Sequence, residues 1–155
     1  MQRKVSYAQN AEDVRVWRAF ASVPPEQVTD LRYVDVGANE PRHLSITASL
    51  YDLGWRGLLI EADPALAADL RRFRPRDIVV EKAAAAGPGE LTFYRVPGTG
   101  LGTLDAAEAE VARGRGFEVT SQTVTTESLD SILSEHAITD IHFMSIDVEG
   151  ARAAQ

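Results

Sequence analysis

Cysteine is absent from this 155-residue chain, and that absence removes disulfides, thiolate nucleophiles and cysteine-ligated zinc together. Lysine is scarce, occurring only as Lys4 and Lys82. Long apolar runs are missing too. No stretch approaches the roughly 18 residues of a membrane helix, and Glu12, Asp13 and Arg15 interrupt the N-terminal region before a signal segment could form. Positive charge is in deficit, with 16 Lys and Arg against 23 Asp and Glu and a net charge of -7. That balance argues against a nucleic-acid-binding surface. The one dense basic cluster is Arg71, Arg72, Arg74 and Arg76. It falls at the expected end of a helix, where cations complement the helix dipole. The expectation is a cytoplasmic protein that contacts neither nucleic acid nor membrane.

What is present is a pattern of short apolar runs alternating with helical segments. Asn10 followed by Asp13 predicts a helix start, with the helix running to about Phe20 and the prolines at 24 and 25 ending that element. Residues 31–36 and 57–60 read as buried strands, as do 77–80 and 141–148. Residues 44–53 read as a helix. Asp63 followed by Pro64 is a strong start signal for the next one. Residues 91–96 predict an edge hairpin strand, 104–113 a helix, 117–125 a strand and 127–135 a further helix. Trp17 and Trp55 are expected in the core, His142 buried within its strand and His136 at the surface. Continuous apolar strands alternating with helices predict an α/β fold: a parallel sheet with helices on both faces.

Ligands in open α/β sheets bind beyond the carboxyl ends of the strands, and three segments end a strand with suitable chemistry. In YVDVGANEP (33–41), Gly37 permits a tight turn, Asp35 closes the strand, and Ala38 and Asn39 lead toward a helix. The loop lacks the spaced glycines of a dinucleotide fingerprint. In GLLIEAD (57–63), Glu61 stands 24 residues beyond Gly37, close to the roughly 20 expected of a carboxylate that accepts ribose hydroxyls. In SIDVEG (145–150), Asp147 and Glu149 follow a buried strand. They are candidates for general base catalysis, for contact with a cationic cofactor, or for metal ligation.

Together these segments resemble the FkbM-type family of S-adenosylmethionine-dependent methyltransferases. The likeness runs through SYAQNAEDVRVW (6–17), VDVGANEP (34–41), LYDLGWRG (50–57), IEADP (60–64), RPRD (74–77), GLGTLD (100–105) and SIDVEG (145–150). Ala8, Ala11 and Gly102 depart from residues usual there. The resemblance implies a Rossmann-like class I fold with strand order 3-2-1-4-5-7-6, and an O-methyltransferase acting on a hydroxyl of a sugar, glycan or natural product. It implies a cofactor site in which Asp35, Gly37, Ala38 and Asn39 surround the methionine part, Glu61 holds the ribose, and Ala62, Lys82 and Ala83 approach the adenine. Asp147 would lie near the sulfonium. Of the two acidic residues Asp147 is the first catalytic candidate, as base or cofactor orienter, and Glu149 the second; no residue is assigned as a metal ligand. Gln9, Asn10, Glu12 and His43 are its substrate-side candidates.

The expected organisation is an N-terminal helical segment (1–30) packing on the cofactor cleft, followed by a SAM-binding domain (31–155) truncated after its fourth core strand. An uncovered last strand of that kind would favour a homodimer. Two other readings stand beside the enzyme: a non-catalytic or fragmentary domain binding S-adenosylmethionine or a nucleotide, and an NAD-dependent reductase using the same ribose logic.

Overall fold

The structure is a computed structural model that describes residues 5–96 and 101–147. In chain order its elements are α1 (Glu12–Ala19), a 3-10 helix (Pro25–Asp30), β1 (Arg32–Val36), α2 (Ala48–Asp52), β2 (Arg56–Ile60), α3 (Pro64–Phe73) and β3 (Ile78–Val80). They continue with β4 (Ala83–Ala85), β5 (Gly89–Val96), β6 (Leu101–Thr103), α4 (Ala106–Gly114), β7 (Thr120–Ser128), α5 (Leu129–Glu135) and β8 (Phe143–Ile146).

The four continuous apolar runs form one parallel sheet in the order β3-β2-β1-β8. Alternate side chains leave it on opposite faces, and the two faces carry separate apolar clusters. Tyr33 and Leu59 join Leu50, Trp55 and Leu70, with Trp17 and Phe20 of the α1 region packed against them. Val34, Val36, Leu58 and Ile60 join Ile132 of α5 on the other face. Burial on both faces is why β1 and β2 read as unbroken apolar runs, whereas β3 and β8 at the two sides leave Ile78 and Ile146 exposed.

A second sheet departs from the expectation of a single parallel one. Its order is β4-β7-β5-β6, with β4 parallel to β7 and the other pairs antiparallel. Residues 91–96 form the expected antiparallel pair with the next strand but are not an edge throughout: β5 pairs with β7 from Gly89 to Arg95 and with β6 over Tyr94–Val96. β4 and β6 have only three residues each, too short for a periodic signal.

Local start signals fared unevenly. Asp63 caps α3 as its sequence predicts, accepting from the Ala65 N–H at 2.8 Å with Pro64 in the first turn. The reading of Asn10 and Asp13 as a cap does not hold. Ala11 occupies the cap position with a left-handed φ of 58° and no side-chain cap. Asp13 is fully buried and turns back to the preceding segment, accepting from the Ser6 hydroxyl at 2.7 Å and the Tyr7 N–H at 3.1 Å. The α2 helix is also shorter than expected, since residues up to Thr47 form a loop in which Leu44 has a φ of 59°.

The basic cluster does fall at a helix end, with Arg71 and Arg72 in the last turn of α3 and Arg74 at its C-cap, but Arg74 and Arg76 need a correction. Arg71 pairs with Glu81 at the surface, but Arg74 is 1% exposed. Its guanidinium pairs with Asp77 at 2.9 Å and donates to the Tyr33 hydroxyl at 2.8 Å and the Thr47 hydroxyl at 3.0 Å. Arg76 lies over the Tyr51 ring, 3.8 Å from its centroid, and donates to the Tyr51 carbonyl. Two of the four arginines thus hold elements together, a role that nearby helix position cannot reveal. His142 also differs from expectation: it is exposed, and its Nδ1 accepts from the Arg32 N–H at 3.1 Å.

Candidate active site

The strands of the parallel sheet end at a cleft of about 710 Å³. Each wall follows from local chain geometry. After β1, Gly37 takes a φ of 76° and Asn39 a φ of 56°, conformations open to glycine and tolerated by asparagine. The Gly37 and Ala38 N–H groups both donate to the Ile60 carbonyl, at 2.9 and 3.2 Å. This folds the turn across the end of β2. There Glu61, 5% exposed, accepts from the Asn39 N–H at 2.7 Å and from the Asp63 N–H at 2.8 Å. One carboxylate thereby fixes the loops after two adjacent strands. Burial pushes its proton affinity above the ordinary carboxylate range, and the backbone donors offset that only in part.

Gly37, Asn39, Glu61, Ala62, Lys82, Ala83 and Asp147 all line this cleft, as does His43. Residues 110 positions apart in sequence, Gly37 and Asp147, thus meet in one concavity. The Asp147 N–H donates to the Val36 carbonyl at 2.9 Å, which sets that residue beside the turn after β1. Lys82 also reaches toward Glu135, with nitrogen and oxygen 3.8 Å apart.

Asp35 and Ala38 are buried behind this surface rather than lining it. The Asp35 carboxylate accepts from the Thr47 hydroxyl at 2.6 Å, and Thr47 in turn accepts from Arg74. Burial raises the Asp35 pKa, opposed by the Thr47 hydrogen bond and by Arg74. The N-terminal candidates lie apart from the lining. Gln9 is exposed, and Asn10 is bonded to Glu12 through both its N–H and its side-chain amide, each at 3.0 Å. The segment approaches the cleft mouth instead through Tyr7, whose hydroxyl donates to Asp52 at 3.0 Å and accepts from Arg42 at 2.7 Å. Glu149 lies outside the described residues.

Several lining residues escaped the sequence reading. Arg42 follows the first loop, and Phe93, Arg95 and Leu104 come from the second sheet and the turn after it. Arg95 reaches back to Asp63, its Nε 2.8 Å from the carboxylate. The loose alternation of residues 91–96 held the only available signal, because it separates Phe93 and Arg95 from Tyr94.

Among comparisons with known proteins, residues 35–151 match the model of the methyltransferase FkbM domain. No curated protein and no solved structure matched the chain.

Proposed function

Since this chain belongs to the FkbM family of methyltransferases, we propose that its cleft binds S-adenosylmethionine and that the enzyme methylates a hydroxyl of a sugar, glycan or other small molecule. The observation that carries the cofactor assignment is the meeting of Glu61, the Gly37–Asn39 turn and Asp147 around one cleft. The donor set suits a cationic nucleoside. A buried carboxylate still has lone pairs free for a ribose diol, and two acidic groups favour a positive charge between them. The volume lies within the usual range for small-ligand sites. The strand order β3-β2-β1-β8 supports reading the parallel sheet as Rossmann-like.

In this reading Glu61 accepts from the ribose hydroxyls, and Ala62, Lys82 and Ala83 border the adenine. Gly37 and Asn39 face the methionine portion, with Asp35 bracing their loop from behind. S-adenosylmethionine supplies an electrophilic methyl group on a sulfonium. The chain's own contribution is mostly alignment of the acceptor oxygen, which can lower a barrier by about 7–11 kcal/mol. Asp147 takes the hydroxyl proton as general base, a contribution of about 10²–10⁴-fold. His43, exposed on the cleft, contacts the acceptor.

Calorimetry with S-adenosylmethionine and S-adenosylhomocysteine tests the cofactor assignment, with micromolar-range binding expected. Absence of heat with both ligands on a folded sample, together with fluorescence enhancement of NADH, would replace it by a reductase. Labelled-methyl transfer across a panel of hydroxylated acceptors tests the reaction, and binding without transfer to any of them would leave a cofactor-binding domain only.

A further inference from the structure

We infer that the second sheet builds the adenine-facing wall of the cleft, with the Phe93 ring as a stacking platform; this rests on the cofactor reading above. Phe93 and Arg95 alternate with Tyr94 along β5, so they share one face of the sheet. Both line the cleft, while Tyr94 and Val96 face a separate cavity against α4. The wall is held at a fixed distance from the ribose loop. Arg95 pairs with Asp63, whose carboxylate is 3% exposed and also caps α3, and whose N–H donates to Glu61.

The neighbouring strand is shaped around the ring. A Cβ built on Gly102 of β6 would lie 2.2 Å from the Phe93 Cζ, so any side chain there would force the ring away. Gly102, a departure from the residue usual at that position, is thus what lets the ring lie across β6. Phe93 remains half-buried, leaving part of an aromatic surface facing the cleft. An aromatic surface facing the cleft matches a flat heteroaromatic ring better than an aliphatic group. Lys82 and Ala83, at the adenine end, line the same cleft.

The test is titration of the full chain with S-adenosylhomocysteine and, separately, with adenosine, comparing the parent with Phe93→Ala, Phe93→Leu and Phe93→Trp. Loss of the ring in the first two should weaken both ligands by the same factor, about tenfold. Phe93→Trp should retain affinity, and its added fluorescence should change on addition of either ligand. Phe93→Leu keeps apolar volume in the wall and guards against a simple folding defect. Parent binding with unchanged affinity in folded Phe93→Ala and Phe93→Leu would overturn this inference and leave the cofactor reading intact. A parent that binds neither ligand would overturn both.

Discussion

The two sheets reach the same cleft by different physical means. β1 and β2 are buried along almost their whole length and present the cleft with their ends: a glycine turn and a buried carboxylate. β5 is mostly exposed along its first half and presents the cleft with one face of its side chains. In the parallel sheet, position is enforced by packing on both faces and by a buried ionic network. In the second, it rests on a long but largely exposed β5–β7 ladder flanked by two three-residue strands, on an ion pair to Asp63 and on a glycine that makes room for a ring. The difference teaches where each kind of precision comes from, and it predicts unequal tolerance to mutation.

The largest effect should come from Arg74→Met. It leaves Asp77 buried without its cation, and removing one member of a buried pair costs about 3–5 kcal/mol. Urea unfolding should show a large fall in midpoint, and an unchanged midpoint would erase the contrast between the sheets. Gly57→Ala attacks the same network by volume. Its new Cβ would lie 1.8 Å from the Tyr33 ring, and Tyr33 donates to Asp77 at 2.6 Å. Overpacking of this kind costs about 1–3 kcal/mol, read by the same unfolding experiment.

Glu61→Ala should cost both binding and stability. Stripping the carboxylate leaves the buried N–H groups of Asn39 and Asp63 without their acceptor, a penalty of about 1–3 kcal/mol. Sequence position alone suggests a cleft group whose removal would leave stability nearly unchanged, and its 5% exposure corrects that expectation. Thermal melts of the variant in the absence of ligand distinguish the two outcomes.

A smaller effect follows from pH. Asp35 and Glu61 both have folded-state pKa values raised by burial, so between the ordinary carboxylate value and the raised one the native state binds more protons than the unfolded chain. Stability should therefore rise as pH falls from neutral toward about 4 and lose that gain as pH returns upward. Glu61→Gln should flatten part of the slope in melts across this window. The least effect is expected in the second sheet. Arg95 is 40% exposed, so Arg95→Gln should change stability by less than about 1 kcal/mol while widening the cleft. A stability loss as large as that of Arg74→Met would show that the second sheet is held as firmly as the first.

Much of the parallel sheet and several residues that line the cleft were legible because their signals are local. Apolar runs of strand length, Gly37 after the first, and Asp63 before Pro64 each need only a few neighbouring residues to be read. The Asn10 start failed because Asp13 found stronger partners in Ser6 and the Tyr7 backbone, and tertiary contact outweighs a capping preference. The second sheet was missed for a related reason. β4 and β6 have three residues each, and what makes β4 a strand is a ladder formed with Thr126–Ser128, far along the chain.

The sequence by itself determined the alternation of strands and helices, the turn after β1 and the spacing that brings Glu61 toward it, since backbone preference and hydrophobic period act over a few residues. Only the tertiary structure decided that Arg74 would be buried while Arg71 stays at the surface, that Asp35 would brace the loop from behind, and that Phe93 would face the cleft. Those outcomes depend on which groups come within hydrogen-bonding or packing distance: Tyr33 and Thr47, distant in sequence, join the nearby Asp77 around the arginine, Thr47 lies under the aspartate, and the bare backbone of Gly102 lies beside the ring.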